Sequence, residues 1–229
     1  MSLPVFVLRP EPGLTSTLVA AFDRGITARG MPLAEVEPLA WKAPAEPFDA
    51  LLIGSGNAIR HGGAELDKVR HLPVYAVGEA TAQTAREAGM TVELVGQGGL
   101  QGLLDSLDAA PRHLLRLAGE AHLPLDSPPS TTIVTVITYA VKFLSLGAAQ
   151  AEMLGRGGVV MLHSGEMARH FALQCETVGV NKGQLVIAAL APRIAELAGA
   201  GWQSVHTAPA RNDASLLEMT AGLCQTQQL

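Results

Sequence analysis

Pro73-Val-Tyr-Ala-Val-Gly-Glu-Ala-Thr-Ala-Gln-Thr-Ala-Arg-Glu-Ala-Gly89 is the stretch on which the reading of this chain turns. Val74 to Val77 is a short apolar run, Gly78 breaks it, and helix formers dominate from Glu79 until Gly89 supplies a C-terminal stop. The sequence spells strand, tight turn, helix. A glycine at the turn lets the backbone come close to whatever lies above the strand end. The N–H groups of the first helical turn point to the same place, which favours an anionic ligand. Thr81, in that first turn, adds a hydroxyl. Taken alone, the stretch reads first as a plain βα connection of an α/β core.

The same alternation continues on both sides. Val5 to Leu8 reads as a strand closed by Arg9-Pro10-Glu11-Pro12-Gly13, and Thr15 to Arg29 as a helix ending at Gly30. Leu33 to Leu39 is strand-like, and the prolines of Lys42 to Pro47 mark a linker. Phe48 to Ile53 is a buried strand that runs into Gly54-Ser55-Gly56-Asn57, after which Ala58 begins a helix. Thr91 to Val95 and His113 to Leu117 are strands, with a glycine-rich loop and a helix from Leu100 to Leu107 between them. Ala121 to Pro129 is too short and proline-rich for a helix, and Thr132 to Val141 is β-branched and extended. Strands at Gly158 to Leu162, Leu185 to Leu190 and Val205 to Pro209 alternate with helices from Glu166, from about Ile194 and from Ala214. Such alternation predicts parallel sheets with helices on both faces.

Two copies of one unit are visible. Phe48 to Gly62 and Gly158 to Ala172 share a buried strand, a Ser-Gly element and a following Arg and His, with Ser55 and Ser164 lying 109 positions apart. Val77-Gly-Glu-Ala-Thr81 aligns with Leu190-Ala-Pro-Arg-Ile194, and the strand at Val5 with Leu114 to Leu117 at an offset of roughly 110. A period this long means duplicated α/β lobes, and open parallel sheets usually take a ligand at their strand ends, here in a cleft between the lobes.

Composition narrows the classes. With 229 residues and 48% hydrophobic side chains, two domains are expected. A net charge of −5 without a basic block leaves no nucleic-acid footprint, and 4% aromatics leave no stacking platform for single strands. Cys175 and Cys224 lack metal-ligand or C-x-x-C spacing and read as reduced thiols of a cytoplasmic protein. Met1-Ser-Leu-Pro-Val5 has no signal-like character. Thr131 to Leu146, interrupted by Lys142, is too short and polar to span a bilayer. The histidines never adopt a zinc-ligand spacing, so no metal is expected. His163 beside Ser164 has no G-x-S-x-G elbow, and Gly96 to Gly102 has the wrong spacing for a dinucleotide fingerprint.

With these pieces in order, the chain resembles the uroporphyrinogen-III synthase family. The resemblance rests on Arg9-Pro-Glu-Pro-Gly13, Phe48-Asp-Ala-Leu-Leu-Ile-Gly-Ser-Gly-Asn-Ala-Ile-Arg60, Tyr75-Ala-Val-Gly-Glu-Ala-Thr-Ala82, Leu115-Arg-Leu-Ala-Gly-Glu120 and Tyr139. It implies a lyase, without cofactor, that closes hydroxymethylbilane into uroporphyrinogen III, inverting ring D through a spiro intermediate and losing water. It implies two α/β lobes joined by a two-stranded connection, residues 1–38 with 139–229 forming one and 39–138 the other. A cytoplasmic monomer acting on a small molecule is expected. The substrate carries eight carboxylates and this chain is acidic, so main-chain N–H groups and a few arginines must hold it. Tyr139 matches the family's cleft tyrosine and is expected to be catalytic. Thr81, Ser55, Ser164, Arg9, Asn57 and Gly78 are expected to bind substrate, Arg9 being either a carboxylate clamp or a surface residue, with Arg60 and Arg116 ranking below it as clamps. The chain departs from the family pattern at Ala191 and Ile194, where Gly and Thr are usual, and at Ala140 after the tyrosine. The segment Ala121 to Pro129 is also shorter than the family's usual helix. The competing classes are a two-lobed, non-catalytic binder of small anions and, lacking a phosphate-loop signature, a nucleotide-dependent transferase.

Overall fold

Buried strands set the architecture, because a strand covered on both faces needs an unbroken apolar run. The structure, a computed structural model, describes residues 3–108, 110 and 112–226; the first residues of the N-terminal reading lie outside these. The chain divides into two compact units, Met1–Glu35 with Lys142–Leu229, and Val36–Val141.

In the first unit, strands β1 (Val5–Val7), β2 (Ala28–Gly30), β9 (Gly158–Leu162), β10 (Leu185–Ala189) and β11 (Ser204–Thr207) form a parallel sheet. Their order is β11-β10-β9-β1-β2. Every residue of β1, β9 and β10 is buried. Helices α1 (Gly13–Phe22), α6 (Ala148–Leu154), α7 (Gly165–Val178), α8 (Pro192–Ala198) and α9 (Asp213–Thr226) complete the unit. One core lies on each face of the sheet, around Phe6, Leu8, Leu162 and Phe171 on one and Val5, Val7, Met161 and Leu217 on the other.

In the second unit the order is β3-β8-β7-β4-β5-β6. The strands are β3 (Ala34–Pro38), β4 (Ala50–Ile53), β5 (Val74–Val77), β6 (Val92–Gly96), β7 (Arg112–Gly119) and β8 (Thr131–Phe143). The helices are α2 (Asn57–Arg60), α3 (Gly63–Val69), α4 (Glu79–Glu87) and α5 (Leu100–Asp105). β4 to β8 are parallel. β3 departs from the expected all-parallel pattern. Leu39 N–H donates to Thr138 O and Leu144 N–H to Leu33 O, both at 2.9 Å, a descending register in which β3 and β8 run in opposite directions. The chain passes between the units on this strand pair.

The two sheets repeat one plan. Reading β1 and β2 as strands one and two, and β9, β10 and β11 as three to five, gives the doubly wound order 2-1-3-4-5; β7, β8, β4, β5 and β6 give the same order. The 109-residue offset thus falls on structurally matching strands, β4 with β9 and β7 with β1.

Two elements differ from the sequence reading. The helix expected up to Arg29 ends at Phe22. Arg24 and Gly25 donate to Ala21 O and Phe22 O in a tightened turn, Gly25 takes φ 70°, and Ala28–Gly30 pair with β1. Helix α6 has no counterpart in the apolar pattern, since only Leu154 of its seven residues is buried.

Candidate functional site

In an open doubly wound sheet the place for a ligand is the carboxyl edge, where the strand order reverses. In the second unit that edge lies after β4, β5 and β7. At the β5–α4 turn, Gly78 has φ 75°, a conformation that disfavours any side chain, and nothing lies within 4 Å of where a Cβ would point. Its N–H is engaged by Gly96 O at 2.9 Å, so the free donors of this helix start are the first-turn N–H groups of Glu79, Ala80 and Thr81. Thr81 is buried, and its hydroxyl has no hydrogen-bond partner among the described residues.

After β4, Ser55 Oγ accepts from Asn57 N–H at 3.3 Å, and Asn57 Oδ1 accepts from Arg60 Nη1 at 3.4 Å. Arg60 Nη2 also donates to Thr84 Oγ1 at 2.8 Å. A Cβ on Gly56 would stand 2.8 Å from that same Oγ1, which is why the turn needs glycine there. Thr84, absent from the sequence reading, ties α2 to α4, and only its spacing of three from Thr81 hinted at it.

Tyr139 reaches this edge through an irregularity in β8. The register runs Leu117↔Val136 and Ala118↔Ile137, then jumps to Gly119↔Tyr139, inserting Thr138. In an unbroken strand Tyr139 would share a face with Ile133, which packs beside Leu52 and Leu114. The extra residue turns it to the opposite face, against the core of Ile53, Ile59 and Leu117. There the ring lies over Gly119, whose Cβ would come within 2.9 Å of the phenolic oxygen, and 6.5 Å from the ring of His61. Burial, and after it the neighbouring Arg60 charge, lower the His61 imidazole from the ordinary histidine value. The Tyr139 hydroxyl has no hydrogen-bond partner among the described residues.

The first unit builds its corresponding edge differently. Arg9, after β1, donates from Nη1 to Asp213 at 3.3 Å and to Thr17 Oγ1 at 3.2 Å. Asp213 also accepts from Thr17 Oγ1 at 2.7 Å and bonds His163 Nε2 at 2.9 Å. Burial would raise the Asp213 carboxyl, but the hydrogen bonds from His163 and Thr17 and the Arg9 charge outweigh it and hold it at about 2. Ser164 Oγ caps α7 by accepting from Met167 N–H at 3.2 Å, and makes no bond to His163. At the counterpart of the Gly78 turn, Ala191 is extended, Pro192 brings no N–H, and Ile194 is a buried core residue. The structure thus brings Ser55, Asn57, Gly78, Thr81 and Tyr139 to the carboxyl edge of one unit, and Arg9 and Ser164 to that of the other.

Burial pushes the Cys175 thiol up to about 12 and raises Cys224, so neither is a thiolate nucleophile. Among the described residues no cluster of His, Cys, Asp and Glu could hold a metal, and no helix is long and apolar enough to cross a membrane.

Comparison with known proteins adds the family. The uroporphyrinogen-III synthase HemD family matches residues 16–218. The fold is similar to that of uroporphyrinogen-III synthetase from Helicobacter pylori, with a TM-score of 0.66 at 16% identity over 97% of this chain and 100% of that one. It is also similar to a mutant uroporphyrinogen III synthase from the extremely thermophilic bacterium Thermus thermophilus, with a TM-score of 0.55 at 16% identity over 98% and 100%. A comparison of the sequence with curated proteins gives no match. Because the family match spans most of its length, the chain belongs to the uroporphyrinogen-III synthase family, lyases that cyclise hydroxymethylbilane.

Proposed function

We propose that this chain binds hydroxymethylbilane by its carboxylates at the strand ends and closes it to uroporphyrinogen III with Tyr139 as the hydrogen-bond donor to the departing hydroxyl. The observation that carries this reading is the Thr138 irregularity, which brings an unpartnered phenol to the carboxyl edge beside the ring of His61. Loss of hydroxyl from a carbon already activated by its own pyrrole needs a donor and a fixed ring geometry more than a strong base. The C–O bond breaks and the hydroxyl leaves as water with a donated proton; the methylene carbon this leaves bonds the ring D carbon that already carries the bridge to ring C, giving the spiro intermediate; that bridge bond then breaks and re-forms at the free α-carbon of ring D, which releases a proton.

In this reading Thr81, with the N–H groups that open α4, and Ser55 and Asn57 hold carboxylates, and Gly78 keeps the space above the turn clear. Ser164 and Arg9 serve the same purpose in the first unit, Arg9 by exchanging Asp213 for a substrate carboxylate. The protein works as a monomer in the cytoplasm, which fits two buried free cysteines, and it has no nucleic-acid partner.

The decisive experiment incubates the protein with enzymatically generated hydroxymethylbilane and separates the oxidised products by isomer. Isomer III is expected; product that remains isomer I ends the proposal.

A further inference from the structure

The second unit buries a positive charge without giving it a counter-charge. Arg116, on β7, is 5% exposed; its Nη1 donates to Leu123 O at 2.9 Å, and its Nε is shielded from solvent with no partner among the described residues. Arg9, Arg70, Arg86, Arg112 and Arg156 each have a carboxylate beside them. Arg116 has none among the described residues, although a buried guanidinium is costly unless an anion meets it.

The fold does not require the arginine. Arg116 pairs with Leu52 on β4 as Val7 pairs with Met161 on β9, and Leu52 and Met161 each stand three residues before the matching Ser55 and Ser164. At this shared position the first unit holds a fully buried valine. The covering element differs as well. In the first unit, strands one and two are connected through α1; in the second, the connection from β7 to β8 has no helix. The far end of that connection is tied down by two hydrogen bonds between Gln101 and Asp126, at 3.0 and 2.9 Å. Its near end is held more lightly. His122 bonds only the adjacent Gly119 and Glu120 carbonyls, Arg116 holds Leu123 O, and Leu123 itself is 80% exposed.

We propose that Arg116 is a carboxylate-binding residue that sets the substrate affinity of this chain. The short strap at Ala121 to Pro124 lifts, and a substrate carboxylate takes the parallel Nε and Nη2 donors. A bidentate carboxylate satisfies Nε and Nη2 together and supplies the counter-charge that the single bond to the Leu123 carbonyl does not. The inference rests on the reading of the substrate as a polycarboxylate.

The test uses Arg116→Met and Arg116→Lys in the full chain, with KM, kcat and melting temperature measured beside wild type. Arg116→Met is expected to raise KM about 10-fold with kcat changed less than about 3-fold, while its melting temperature stays level or rises because a buried charge is gone. Arg116→Lys, which keeps the stem and charge but loses the fork, is expected to raise KM by a smaller factor. An unchanged KM in Arg116→Met overturns the proposal whatever its stability. If that variant does not fold, an unchanged KM in Arg116→Lys does so. A second arm works without turnover. Wild type is expected to be stabilised by uroporphyrin III but not by its octamethyl ester, and Arg116→Met to lose most of that shift; an equal shift in both proteins overturns the proposal. Wild type that shifts normally yet makes no isomer III refutes the synthase reading alone.

Discussion

The two carboxyl edges share a strand plan and have opposite polar economies. In the first unit the edge satisfies itself. Arg9, Thr17, His163 and Asp213 bond one another, the Ser164 hydroxyl caps its own helix, and the turn after β10 has lost both a donor, at Pro192, and a hydroxyl, at Ile194. In the second unit the Gly78 turn keeps its N–H groups, while the hydroxyls of Thr81 and Tyr139 and the Nε of Arg116 have no partner among the described residues. Donors left without a partner can meet a ligand, and among the described residues each unit holds one such atom that is shielded from solvent, Arg116 Nε in the second and His163 Nδ1 in the first. Duplicated units need not carry duplicated duties, and here the departures from the repeat distinguish the edge of one unit from that of the other.

The sharpest way to break this contrast is Tyr139→Phe. Turnover is expected to fall about 100-fold, as for loss of a proton donor, with melting temperature within about 2 °C of wild type. Equal losses of activity and stability would return the ring to the core. A paired exchange comes next. Thr81→Val is expected to lower kcat/KM about 10-fold with little change in stability, whereas Ile194→Thr, at the matching place, is expected to leave kcat/KM unchanged and cost about 1–3 kcal/mol through a buried hydroxyl. Matching kinetic effects at both positions would erase the distinction between the edges.

The smallest effect is acid sensitivity in the first unit. The Asp213 carboxyl sits at about 2, below the ordinary value near 3.9, so its stabilising contribution is complete above about pH 4 and is lost as pH falls from there towards 2. With the side chain a third exposed, screening limits this to about 1–2 kcal/mol. Urea unfolding at pH 5 and pH 2.5 should show that extra loss in wild type and not in Asp213→Asn; parallel losses would detach Asp213 from the fold.

What the sequence made legible was what local chemistry dictates. Residues 73–89 announce themselves because an apolar run, a glycine and a run of helix formers all agree, and the buried runs of β4, β9 and β10 are continuous in sequence. β2 was hidden because three edge residues carry too little pattern to override the helical spacing that precedes them. The Thr138 irregularity has no signature in Ile-Thr-Tyr, yet it decides the face on which Tyr139 lies. The bond from Arg9 to Asp213 joins residues 204 positions apart, beyond the reach of any local rule, and it shows that a candidate clamp is already occupied.

The strand order carries one more consequence. Along the chain, β1, β2, β4, β5, β6 and then β7 to β11 count one to five twice over, yet each sheet takes strands one and two from one copy and three to five from the other. The tandem copies have traded halves, a domain swap completed within a single polypeptide. Neither copy, severed near residue 110, owns a whole sheet, so the heritable repeat and the folding unit are different objects.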